Sequence, residues 1–322
     1  MVDIPPRDEK MKPVKQERSH TDHADTPVLQ ALDADGEMWS ASDFRDTIYS
    51  HYALHGRDLP WRNSPGPYGV YVSEIMLQQT QVDRVIPKYG SFMERFPGFS
   101  GLAAAPLEEV LREWKGLGYN RRALALHRAA GIIVSEWNGA LPADPASLEK
   151  LPGIGRATAA SICAYAFNLP VVFIETNIRA VFIHFFFGNS DIVSDREIYH
   201  LAEKALDRDN PSRWYNALMD YGVMLKREYG NPARKSRAYR KQPKFQGSNR
   251  QFRGRILEHI LSRGAINEAD LAELYGNDAG RAGRVVGELM AEGFIAREEG
   301  GRYRIANRQQ TEEGDTPICG KN

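Results

Sequence analysis

Apolar residues recur along most of this chain at helical spacing. Phe44, Ile48 and Tyr52 mark one helix, with Ser42 placed to cap it. Helix signals resume at Val70 and run to about Asp83. Residues 84–96 form a further amphipathic segment, with Val85, Ile86, Tyr89, Phe92 and Phe96 on its apolar side. Segments 107–114, 121–137 and 145–150 repeat the pattern, and Gly or Pro turns separate them. No run of alternating apolar and polar residues precedes residue 290, so the pattern predicts an all-α core of nine or ten helices over 41–225. Residues 1–40 lack periodicity and are rich in Pro, Asp, Glu, Lys and His; they are expected to be disordered. His20 and His23 in that tail read as solvated polar residues.

The pattern changes after Gly222. Residues 226–255 hold eleven Lys or Arg against one acid, Glu228. Their first part, 226–249, is expected to be a basic linker, and Arg234, Lys235, Arg237, Arg240 and Lys241 are its candidates for phosphate contact. Residues 250–306 then predict three short helices and a β-hairpin across Gly300-Gly301, the layout of a winged helix, and 307–322 a polar disordered tail.

The stretch 151–187 draws the most attention, because helix, glycine turn and helix follow one another there. Pro152, Gly153 and Gly155 form the turn, and a helix of small residues runs from Ala157 to about Phe167. A turn at 168–170 leads into an apolar run that ends in Glu175, with Asn177 placed to cap the next helix. Glycines admit close approach of a ligand to the backbone, and N–H groups at a helix start suit phosphate. On the turn alone, an ordinary αα-hairpin is the simpler reading. A carboxylate at a helix start adds a stabilised negative charge. A second acid, Glu74, stands among Ile75, Met76 and Leu77; it is either a surface residue on a partly apolar helix or a buried acid, which desolvation would keep neutral as a proton donor. The polar side chains that follow it, Gln78, Gln79, Thr80 and Gln81, are long or hydroxylic and are suited to base contacts.

Composition narrows the classes. The chain of 322 residues has zero formal net charge, so a nucleic-acid site has to be a local patch. No eighteen-residue apolar run exists, which speaks against a membrane span. The cysteines are Cys163 and Cys319, too few and too far apart for a disulfide framework or a cysteine metal site. A cytoplasmic, nucleoid-associated protein is expected.

Five motifs in order, RDLPWR (57–62), SEIMLQQTQV (73–82), GLGYNRRA (116–123), LPGIGRAT (151–158) and ETNIR (175–179), resemble the helix-hairpin-helix (HhH-GPD) DNA glycosylases, and among them the adenine glycosylases of the MutY type. The resemblance covers roughly 41–225 and implies two helical lobes with the active site between them. It implies that Glu74 protonates a purine, that Glu175 stabilises an oxocarbenium-like sugar, and that Asn177 orients Glu175. Arg57, Trp61, Arg62, Leu77, Ala157 and Asp220 match positions around the adenine pocket. Gln79 and Tyr119 match side chains inserted into the duplex during base flipping. Gln78, Thr80, Gly153, Gly155, Arg156 and Thr158 match other DNA contacts. The carbonyls of Glu149, Leu151 and Ile154 match a site for K⁺ or Na⁺. The implied partner is double-stranded DNA with a mismatched or damaged pair, bound by a monomer.

Departures from the family pattern are equally informative. Glu175 replaces aspartate. Ala157 replaces the lysine of bifunctional lyases, so no Schiff base is expected there. The four cysteines of an iron–sulfur cluster are missing from the segment after Leu225, and the Nudix-like domain that reads 8-oxoguanine gives way to the expected winged helix. Excision of adenine opposite guanine or 8-oxoguanine is the leading expectation. A thymine or uracil glycosylase for G mismatches, or a non-catalytic mismatch-binding protein, are the alternatives; Ala157 in place of tyrosine weighs against the former.

Overall fold

The structure is a computed structural model, and it describes residues 28–32, 38–63, 66–188, 190, 192–275 and 278–306. It is mostly helical. In chain order the elements are β1 (Val28–Leu32), β2 (Met38–Ser40), α1 (Ala41–His55), α2 (Gly66–Leu77), α3 (Val82–Arg95), α4 (Phe99–Ala104), α5 (Leu107–Trp114), α6 (Arg121–Trp137), α7 (Pro145–Leu148), α8 (Arg156–Phe167), α9 (Thr176–Phe186), α10 (Asp195–Ala205) and α11 (Pro211–Glu228). After them come α12 (Asn249–Arg263), α13 (Glu268–Tyr275), α14 (Ala279–Ala291), β3 (Ile295–Arg297) and β4 (Tyr303–Ile305), and single 3₁₀ turns lie at Pro60–Arg62 and Pro232–Lys235. Two compact units share them. One comprises residues 1–58 and 163–240, the other 59–162 and 241–322.

The first unit is built on aromatic packing. Phe44 of α1 meets Phe182, Phe185 and Phe186 of α9 and Trp214 of α11, with ring centroids 5.1–5.8 Å apart. Each such ring removes a large apolar area from water and adds an edge-to-face term. Trp39 closes this cluster against Phe44 and Phe185. That burial explains a departure from the sequence reading: residues 28–32 and 38–40, expected to be disordered, pair as an antiparallel ribbon that carries Trp39. Residues 1–27 and 33–37 of the expected tail, and the tail from 307 on, lie outside the described residues. Ser40, not Ser42, caps α1, because its hydroxyl accepts the Asp43 N–H at 3.0 Å. The segment expected to start a linker at Lys226 is still helical to Glu228. Beyond it, the chain pairs Ser236 with Val193 in a parallel bridge, and the Lys235 ammonium donates to the Gly188 carbonyl at 2.6 Å.

The second unit packs α2–α6 around Met76, Phe92, Trp114, Ala130 and Ile133, all essentially removed from solvent. The helix expected over 70–83 divides. α2 stops at Leu77, Gln79 takes a left-handed conformation (φ 55°), and α3 starts at Val82. In the same unit α12, α13 and α14 pack against one another and are followed by the β3–β4 hairpin, to which Ile266 adds a bridge at Tyr303. α12 and α14 are tied to the preceding helices by ion pairs. Glu292 binds Arg121 and Arg253, and Glu258 binds Lys115.

Candidate active site

Glu74 lies in the last turns of α2 and is half-buried. Its Oε2 accepts a hydrogen bond from the Ser161 hydroxyl at 2.5 Å, and Ser161 is itself buried. That hydroxyl also approaches the Thr158 carbonyl, one turn back in α8, at 3.0 Å. The small residues of α8 let Ser161 come this close, and Gln78 Nε2 meets Thr158 Oγ1 at 3.4 Å along the same seam. Ser161 is a functional candidate that sequence reasoning missed; its position three residues after Thr158 on one helix face was the available signal.

The hairpin before α8 is as the sequence predicts. The Ile154 N–H returns to the Leu151 carbonyl at 3.2 Å, and Gly153 adopts φ 79°. A side chain at 153 would place Cβ 2.8 Å from the Ala125 methyl, so glycine is required for packing as well as conformation. Gly155, Arg156 and Ala157 are exposed, and nothing lies within 4 Å of where a Gly155 Cβ would be.

Trp61 is buried edge-on to Tyr89 at 5.6 Å, Arg62 adjoins it in the same 3₁₀ turn, and Leu77 is half-buried at the end of α2. The left-handed Gln79 is exposed, and a second left-handed residue, Tyr119 (φ 49°), belongs to the same unit. Non-glycine residues in this region are uncommon and store strain. Arg122 holds both turns. Its guanidinium donates to the carbonyls of Ile75, Met76, Gln78, Leu117 and Gly118 and to Thr80 Oγ1, at 2.5–3.3 Å. The acceptors at the end of α2 are carbonyls that the helix itself leaves unsatisfied. Burial lowers Arg122 to about 10. Nothing local in the sequence announces this role, since the acceptors at the end of α2 lie more than forty positions from Arg122.

In the first unit Glu175 is itself the N-cap of α9. Its Oε1 accepts the N–H groups of Asn177 (2.5 Å) and Ile178 (3.1 Å). This corrects the assignment of the cap to Asn177, because the helix begins at Thr176 and the glutamate side chain is long enough to fold back over its first turn. The freed Asn177 side chain turns to α11, where its Oδ1 accepts from Lys226 Nζ at 2.5 Å. Lys226 is largely enclosed. Burial lowers its pKa, Glu175 raises it, and Arg179 lowers it. Arg179 is itself clamped by both oxygens of Asp195 at 2.8 Å. α11 approaches α9 this closely because residue 222 is glycine; a Cβ there would lie 2.6 Å from the Asn177 carbonyl oxygen. The apolar run before Glu175 is pinned by Tyr215, whose hydroxyl donates to the Val171 carbonyl at 2.8 Å and whose ring lies against Phe173.

Asp220, on the same helix as Lys226, is buried and pairs with Arg57. Its carboxylate accepts from the Arg57 backbone N–H (2.8 Å) and Nε (2.7 Å), and lies 2.6 Å from Nη2. Of the basic residues after α11, Arg234, Arg237, Arg240 and Lys241 are exposed, whereas Lys235 is half-buried on the Gly188 carbonyl. Lys226 takes no part in such a basic surface. Among the described residues no group of three or more His, Cys, Asp or Glu is placed to hold a metal ion, and no helix is long and apolar enough to cross a membrane.

A family model for the HhH-GPD superfamily of base excision DNA repair proteins matches residues 72–208. The chain is 32% identical over 285 residues to an adenine DNA glycosylase of Mycolicibacterium smegmatis, an alignment that covers 82% of this chain and 96% of that protein. It is 38% identical over 187 residues to an adenine DNA glycosylase of Buchnera aphidicola, covering 56% of this chain and 52% of the relative. With the human adenine DNA glycosylase it shares 36% identity over 194 residues, 56% of this chain and 36% of that one. The fold is also that of a solved thermostable thymine-DNA glycosylase, at 24% identity and a TM-score of 0.50 over 57% of this chain and 86% of that structure. With Glu74, the glycine hairpin and Glu175 all within or beside the matched segments, the chain belongs to the HhH-GPD superfamily of base excision DNA repair proteins, on its adenine DNA glycosylase branch.

Proposed function

We propose that this protein is a monofunctional DNA glycosylase that hydrolyses the N-glycosidic bond of a flipped adenine mispaired with guanine or 8-oxoguanine. The observation that carries the reading is the Glu74–Ser161 contact, in a chain that aligns with nearly the whole of an adenine DNA glycosylase. Ser161 donates to Oε2 and orients the Glu74 carboxyl, whose neutral form carries the proton to be transferred. Transfer of that proton to a purine ring nitrogen lets the base leave with the electron pair of the C1′–N bond. The Glu175 carboxylate stabilises the positive charge that develops on the sugar. Water then adds at C1′ and completes the hydrolysis. Arg57, Trp61, Arg62, Leu77, Ala157 and Asp220 line the pocket for the base. Asn177 fixes the start of α9 and, through it, the Glu175 side chain. Ala157 offers no amine, which makes the activity monofunctional.

DNA is held by the hairpin N–H groups of Gly153 and Gly155 with Arg156 and Thr158, by Gln78 and Thr80, and by Arg234, Arg237, Arg240, Lys241 and Lys235 beyond α11. Gln79 and Tyr119 are the side chains inserted into the duplex as the base leaves the stack. The carbonyls of Glu149, Leu151 and Ile154 are a fitting donor set for K⁺ or Na⁺; Leu151 keeps a second lone pair beyond the one bonded to Ile154. An iron–sulfur cluster does not fit the residues present. Such a cluster takes four thiolates, and the chain has two cysteines, one of them buried within α8. Lys226, in the last turn of α11, instead donates to Asn177. Folding of residues 250–306 as a winged helix, and action as a monomer on nucleoid DNA, complete the proposal.

Single-turnover assays on A·G, A·8-oxoguanine, T·G and U·G duplexes test it. Adenine should be released from the first two and nothing from the others. Release of thymine or uracil would assign the protein to G mismatches, and binding without release of any base would leave it a mismatch-binding protein.

A further inference from the structure

Tyr119 carries two ligands that the reaction scheme leaves unused. The Gln242 side-chain amide and the Arg250 guanidinium both donate to its hydroxyl. Gln242 Nε2 also lies 3.5 Å from Gln79 Oε1, so it touches both left-handed residues. Arg250 is stacked, with its guanidinium carbon 4.7 Å from the Tyr119 ring centroid and 5.2 Å from that of Phe245. Phe245 is 54% exposed, so part of its ring is accessible beside the Arg250 guanidinium. The helix that carries Arg250 is anchored, since Arg253, one turn on, shares Glu292 with Arg121. Arg250 thus contacts two aromatic rings and one hydroxyl, and its guanidinium has five N–H donors in all.

The geometry points to Arg250 and Gln242 as the residues that read the base left behind opposite the extruded one. This inference rests on the reading of Gln79 and Tyr119 as the inserted pair. A guanidinium is the natural partner of two acceptors side by side, and guanine presents O6 and N7 in that arrangement. Cytosine offers an amino donor at the corresponding edge, which the fork repels. Oxidation at C8 places a hydrogen on N7, so 8-oxoguanine keeps only one acceptor for Arg250, while Gln242 can donate to O6 and accept from N7–H. Exposed Phe245 supplies a face on which that base stacks.

The test uses the full chain and a duplex with a tetrahydrofuran abasic site opposite guanine, 8-oxoguanine or cytosine, with equilibrium binding as the readout. Wild type should prefer guanine to cytosine. Arg250→Lys retains the charge and loses the fork, so it should shrink that preference ten- to hundredfold with cytosine affinity within about twofold. Gln242→Ala should reduce the preference for 8-oxoguanine most. Equal weakening on all three duplexes would make Arg250 a phosphate contact and overturn the inference, as would a wild type indifferent to the opposite base. Because binding is measured on an abasic product, a failure of adenine excision in the earlier assay leaves this result readable by itself.

Discussion

Glu74 and Glu175 are the same residue type in opposite surroundings. Glu74 projects from an apolar helix and meets a neutral hydroxyl. Glu175 caps a helix, where two backbone N–H groups point at it and the ammonium of Lys226 contributes a favourable field. The first setting suits the proton donor proposed for Glu74, because a hydroxyl bonds to a protonated acid as well as to a carboxylate. The second suits the role proposed for Glu175 beside a developing positive charge, because the two N–H groups of the helix start hold its side chain in place. The contrast explains how a family position normally held by aspartate can accept the longer glutamate. The extra methylene is taken up by folding the side chain back onto the first turn of α9.

Substitutions at four positions sharpen or break this contrast. Glu74→Gln keeps shape and removes the proton donor, and should cost about 10⁴-fold in single-turnover excision while duplex affinity stays within about twofold. Near-normal excision would remove Glu74 from the chemistry. Glu175→Gln comes next. The amide oxygen still accepts the cap N–H groups, so the fold survives, but the charge is gone and excision should fall about 10²–10³-fold. Glu175→Asp preserves both the cap and the charge and should excise at close to the wild-type rate; if Gln and Asp behave alike, charge is not what the position supplies.

The third is Lys226→Met, which should cost roughly ten- to hundredfold by letting Asn177 and Glu175 drift, with little effect on DNA affinity. It has a pH signature. Burial lowers the Lys226 pKa, so the ammonium is lost at a lower pH than for an ordinary lysine, and excision should decline as pH rises through that value. Lys226→Arg stays charged and should carry the alkaline limb of the rate profile upward. A limb that stays in place would show that another group titrates. The smallest effect is expected from Ser161→Ala, which deletes one hydrogen bond worth about 1 kcal/mol and should slow excision about fivefold. A change of less than twofold would mean the hydroxyl does not orient the acid.

Helix boundaries were legible where an amphipathic run is bracketed by Gly, Pro or Asn, as at α5 and α6, whose limits match the expected 107–114 and 121–137. Both acids and the glycine hairpin were legible too, because their chemistry is unusual for their neighbours: a carboxylate in an apolar run, glycines between helices. The break between α2 and α3 was not. Residues 78–81 are compatible with a helix locally, and it is Arg122, distant in sequence, that binds the carbonyls released when α2 ends. Lys226 was read as a linker cation, since nothing next to it in sequence announces Asn177, 49 positions away. The β1–β2 ribbon was hidden for the same reason: a three-residue strand carries no readable alternation, and Trp39 is ordered by aromatic rings on α1 and α9.

The clasp made by Arg122 bears on the timing of recognition. One planar group binds the end of α2 and the turn at 117–118, so the backbones that carry Gln79 and Tyr119 move as one body. The entropy of ordering those two turns, and the strain of their left-handed residues, are met when the chain folds. With Gln79 and Tyr119 in the inserting role proposed for them, a duplex would meet two turns already in shape, and encounter would need no slow rearrangement before contact. Such an arrangement would serve a search along many undamaged pairs.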